Sequence, residues 1–146
     1  MIIFRNLIAI VAGIIAGSVV NMGLVMLGPS LIPAPAGVDV TSAESIGAAI
    51  HLFEPRHFVM PFLAHALGTL AGASVGYLLC ATHRTAISYG IGLLFLAGGV
   101  AASFMIPAPA WFIALDLVVA YIPMAWIANG LGSRLKGSFE SGRDRT

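Results

Sequence analysis

His65 and Asp116 are ionisable residues set inside long apolar stretches. Such a group within a membrane helix costs about 2.5–3.5 kcal/mol on insertion scales, so its presence asks for a reason. A carboxylate beside an imidazole supplies one, because each lowers the desolvation cost of the other. Together they can hold a proton, a small ligand or a metal ion. Asn21, in a third apolar stretch, adds an amide that both donates and accepts. His65 lies seven residues past Phe58, Asp116 six past Ala110, and Asn21 seven before Gly28. At about 1.5 Å per residue all three fall roughly 10 Å below the same face of a bilayer. They form one expected layer, with Thr69 a turn below His65 and with Ser103 and Tyr121 near enough to join. The layer serves either as a binding or proton-relay site, or as a hydrogen-bond network that fixes helix register.

A second group of chemical residues lies outside the apolar stretches. His51-Leu52-Phe53-Glu54-Pro55-Arg56-His57 gathers two imidazoles and a carboxylate within one short segment. With His65 these residues (His51, Glu54, His57) make a candidate set for zinc, copper or iron. The spacing matches no established metal motif, and Pro55 breaks the helical phase between Glu54 and His57. A local Glu54–Arg56 or Glu44–His51 contact is the structural alternative. Haem fits less well, because two axial histidines call for two facing helices and only one apolar stretch carries a histidine. Cys80 stands alone, which excludes an internal disulfide or a cysteine cluster. It reads as a small buried apolar residue. His83, beside Arg84, reads as a solvated turn residue. The signature H-E-x-x-H and the Walker A loop are absent.

The elements that must carry these residues follow from composition. Of 146 residues, 59% are hydrophobic and 9% charged, against about 25% charged in soluble domains. Mean hydropathy is +0.99. A soluble fold this small cannot bury so much apolar surface. The net charge of +1 offers no field for a polyanion, so nucleic acid is excluded as a partner. The expected class is an all-α integral membrane protein forming one domain over residues 1–146. Four stretches reach the roughly 20 apolar residues that a span needs: 7–28, 58–81, 86–106 and 110–131. Backbone groups in lipid require helices or a closed barrel. The first stretch exceeds the 7–15-residue core of a signal peptide and no convincing A-x-A site follows it, so it reads as an uncleaved anchor. Pro123 should kink the fourth stretch. Size and span number are those of small multidrug exporters, but no glutamate stands in the first stretch, where those transporters depend on one.

If the spans alternate, Arg5, Arg84, Arg134, Lys136, Arg143 and Arg145 share one side and only Arg56 lies on the other. This bias puts both termini and the tail 132–146 in the cytoplasm. The loop 29–57 then faces out, into the periplasm if the membrane is a bacterial inner membrane. Trp111 belongs to the outer aromatic belt, and Trp126 and Tyr89 lie toward the inner side. Within the loop, Thr41-Ser42-Ala43-Glu44 reads as a capping box. Ile46, Ile50 and Phe53 follow at helical spacing, so Ser42–Phe53 is expected as an interfacial helix over the mouth of a four-helix bundle.

Ile32-Pro33-Ala34-Pro35-Ala36 recurs as Ile106-Pro107-Ala108-Pro109-Ala110, each before another apolar stretch. The recurrence suggests two helical hairpins. Gly13 and Gly17, with Gly68, Gly72 and Gly76, form small-residue steps that let helices approach closely. They serve packing of the first two spans, or a homo-oligomer or larger membrane complex. Three functions remain open: a protein that binds or transports a small ligand, proton or metal ion; a noncatalytic accessory or scaffold subunit; and a membrane metalloprotein.

Overall fold

The computed structural model describes residues 1–143, with side chains through residue 137. All regular structure among these residues is helical. Helix α1 covers Ile2–Leu31, α2 Ala43–Ala49, α3 Val59–Leu79, α4 Arg84–Met105, α5 Ala110–Val119 and α6 Ile122–Arg143. Short 3-10 turns occupy Ile50–Leu52 and Pro55–Phe58. Among the described residues four helices are long and apolar enough to cross a membrane: Ile2–Leu31, Pro55–Leu79, Arg84–Met105 and Ala110–Gly137. The first starts five residues earlier than its apolar run and continues three beyond it.

Helix α3 is the central element, packed against α1, α4 and α6. It meets α1 through glycine. A Cβ placed on Gly13 would stand 2.7 Å from the Gly72 carbonyl oxygen, and one on Gly17 would stand 2.7 Å from that of Gly68. Gly13 pairs with Gly72 and Gly76, Gly17 with Gly68, and Gly28 with Met60, so the two helices run antiparallel. The five glycines read from the sequence thus bring α1 and α3 of one chain into backbone contact. At one end of this pair the Arg5 Nε donates to the Leu79 carbonyl at 3.0 Å. The Asn6 Oδ1 accepts from the Ala81 N–H at 2.9 Å, and its Nδ2 donates to Thr82 Oγ1 at 2.9 Å. Together they satisfy backbone groups left open where α3 ends.

The repeated pentapeptides stop α1 and α4 in the same way. Ile32 and Ile106 are both extended C-cap residues, with φ of −130° and −119°, as the proline after each demands. Pro123 acts slightly upstream of its own position. It lacks the N–H that would reach the Val119 carbonyl, and its ring crowds that oxygen. The helix opens at Ala120 and Tyr121 and restarts as α6.

The expected helix over Ser42–Phe53 is shorter. It is α2 plus the turn Ile50–Leu52, and Phe53 is extended. Its cap is Ser42, whose hydroxyl oxygen accepts from the Ser45 N–H at 3.2 Å. The Thr41 hydroxyl instead donates to Asp39 Oδ1 at 2.7 Å, so the expected Thr41–Glu44 box does not form. The hydroxyl and N–H of Thr41 hold the Asp39 carboxyl below the usual carboxylate range. A capping box does exist, between Glu54 and His57.

Candidate functional site

His65 and Asp116 meet. The His65 Nδ1 lies 2.9 Å from Asp116 Oδ2 and 3.0 Å from Oδ1. An ionised carboxylate can only accept, so beside it Nδ1 carries the proton, and Nε2 is an acceptor whenever the ring is neutral. Asp116 is buried. Its second donor is the Tyr121 hydroxyl, 3.0 Å from Oδ2. In an unbroken helix residues five apart point about 140° away from each other. The opening at Ala120 and Tyr121 swings the phenol back to the carboxylate. The rings of His65 and Tyr121 lie 5.8 Å apart, tilted by 30°. Gly99 of α4 gives the phenol its room, since any Cβ there would collide with the Tyr121 hydroxyl.

The rest of the expected layer separates. Asn21 makes no hydrogen bond to His65 or Asp116, and Tyr121 takes the place expected of its amide. The Cβ and Cα of Asn21 pack over Gly68. Thr69 is fully buried and donates to the His65 carbonyl at 2.8 Å. It braces its own helix. Ser103 donates to the Val100 carbonyl at 2.7 Å.

His51, Glu54, His57 and His65 are not brought together as metal ligands. Among the described residues no three His, Cys, Asp or Glu side chains form a group able to hold a metal ion. His51 is exposed. Glu54 pairs with Arg56 at 3.0 Å, the local alternative that the sequence offers. The His57 Nδ1 accepts from the Glu54 backbone N–H at 2.8 Å. Its ring stands edge-on to Phe53, with centroids 5.5 Å apart.

Two cavities flank His65. The first, about 290 Å³, is walled by apolar side chains including Val25, Ile46, Ile50, Phe58, Phe112 and Leu117, and it reaches His65 and Asp116. Helix α2 and the segment after it cover the cavity with Ile46, Ile50 and Phe53, all three residues of the apolar stripe. The Cβ that Gly47 lacks would stand 2.9 Å from the Pro107 ring, so α2 rests closely on the turn after α4. Phe58 and Phe112, with ring centroids 4.8 Å apart, close another side. Ile32, Ala34, Ile106 and Ala108 of the two repeated pentapeptides also border this space. The second cavity, about 390 Å³, lies between α1 and α4 and also touches His65.

Comparison of the chain with family models, curated proteins and solved structures found no match. The functional reading therefore rests on the site's own chemistry. Neither the cavity nor its aromatic wall is apparent from residue spacing. Phe58 and Phe112 read as ordinary span residues until four helices and a lid converge on them.

Proposed function

We propose that this chain is a membrane-embedded binding protein for a small, mostly apolar molecule carrying one hydrogen-bond donor. In this reading the four helices cross the bilayer with both termini cytoplasmic, and α2 lies on the outer side over the first cavity. The observation that carries the reading is a mostly apolar wall with few polar side chains on it, His65 oriented by Asp116 among them, with His57 and Ser103. An apolar wall cannot replace the hydration shell of an ion. It does suit a hydrocarbon body, and a few placed polar groups then fix its orientation. With the ring neutral, Nε2 is an acceptor and selects a donor head such as a hydroxyl.

The test uses a ten-carbon alcohol with a photoreactive diazirine near its tail, and the methyl ether of the same compound. Protein in lipid nanodiscs is irradiated with each probe and labelled peptides are mapped. The alcohol should label the segment around Phe112 and Ile113 about tenfold better than the ether, the worth of one hydrogen bond of about 1.4 kcal/mol. The preference should vanish in His65→Phe combined with Asp116→Leu, which strands no charge. Equal labelling by alcohol and ether in the unmodified protein would refute the reading.

A further inference from the structure

We propose that the cleft between α1 and α4 is a lateral entrance by which a bilayer-dissolved, single-chain amphiphile reaches His65. This rests on the binding reading above and adds the route and the source of the ligand. Four observations carry it. The second cavity is bounded by Ile14, Ser18, Asn21 and Met22 of α1 and by Leu94, Phe95 and Gly98 of α4. All belong to the long apolar helices, so in the membrane the opening faces acyl chains and not water. Met22 and Leu94 on its border are 56% and 52% exposed. Helix α1, packed closely along α3, touches α4 at few points.

The second observation is that His65 and Gly99 line both cavities. The histidine is therefore the shared wall between the lipid-side cleft and the lidded chamber, and one ligand head can meet it from either side. Third, the cleft carries polar side chains that a purely lipid-facing groove has no use for. Ser18 and Asn21 border it, and among the described residues neither side chain has a hydrogen-bond partner. An amide at such a depth is costly without a partner. A hydroxyl head moving inward would find Ser18, Asn21 and His65 in turn. Fourth, the cleft has a closed end and an open side. The Phe95 ring packs on Gly17, whereas at Gly98 nothing stands within 4 Å of where a Cβ would be. The occupant must be slender, because two helices bound the cleft. It must also carry a polar head, because the polar groups lie inside. A single-chain alcohol or monoester meets both demands, and a double-chain lipid meets only the second.

The open space at Gly98 supplies the test. Gly98→Trp puts an indole into the cleft from a position where a Cβ meets nothing within 4 Å, while Gly98→Ala leaves the cleft passable. The photoreactive decanol is added to vesicles containing the protein, and labelling around Phe112 and Ile113 is followed against time before each flash. Gly98→Ala should fill at the rate of the unmodified protein. Gly98→Trp should fill at least tenfold more slowly, with an unchanged melting temperature in detergent. Filling of Gly98→Trp at the unmodified rate would overturn the lateral route while leaving the binding reading intact, since labelling still occurs. Absence of hydroxyl-dependent labelling in the unmodified protein would overturn both. Should Gly98→Trp lower the melting temperature by more than a few degrees, Ser18→Phe replaces it. Ser18 is an exposed residue on the facing wall, and the same two outcomes decide.

Discussion

At the scale of single residues, the pairing of His65 with Asp116 is legible from the sequence alone. Two costly groups at matching depths leave few arrangements in which neither is stranded. Removing one partner leaves the other unpaired in a poor solvent, so His65→Ala and Asp116→Ala should each lower stability in detergent. The double variant should lose less than the sum, with a coupling of roughly 0.5–3 kcal/mol. Additive losses in thermal unfolding would show that the contact contributes nothing. Spacing makes Tyr121 a neighbour of the pair without assigning it a role. Its hydroxyl reaches Asp116 only because the helix is open between them, and a regular helix would turn it away. Asn21 is not the third member for a related reason. Depth places a residue along a helix axis but says nothing of its angle around that axis.

At the scale of elements, local chemistry is most legible where one residue has one choice. Prolines stop α1 and α4 at both repeated pentapeptides. The cap of α2 is ambiguous in the sequence because Thr41 and Ser42 offer equivalent hydroxyls, and Asp39, two residues back, claims the first of them. The Glu54–His57 box is hidden because its partner is an imidazole, outside the usual pattern of glutamate or glutamine. The α1–α3 contact gives a sharper prediction. Gly13→Ala would drive a methyl group against the Gly72 carbonyl, which belongs to backbone and cannot swing aside. It should cost roughly 1–3 kcal/mol, as overpacking does. Gly23→Ala, on the same helix with nothing within 4 Å, should shift stability by about 0.5 kcal/mol or less. Chemical or thermal unfolding of the two variants side by side checks the contrast.

At the scale of the whole molecule, the number and placement of the long helices follow directly from hydropathy, because membrane-length helices leave a signal that no tertiary contact can mask. The cavities leave no such signal, since each exists only where several elements meet. The proposed orientation rests on Lys and Arg placement, to which Arg143 and Arg145 contribute by sequence alone, their side chains lying outside the described residues. Single cysteines at Ser45 and at Ser138, the latter also outside the described side chains, check it in a Cys80→Ala background. An impermeant maleimide on intact cells should label position 45 and spare 138, and the reverse would invert the molecule. Cys80 is itself fully buried, so in the unmodified chain it should alkylate slowly. Among the described residues the interior is rich in glycine and alanine, with Tyr121 and Ile91 as the largest fully buried side chains. A survey of every substitution would consequently sort positions by two different rules. Along α1 and α3 the inner face would reject bulk of any polarity, while the outward positions would accept any apolar shape and reject charge. With the chain in a bilayer, as proposed, tolerance on the inside is a matter of volume and on the outside a matter of solvation, the inverse of the pattern by which water-soluble proteins reveal their cores.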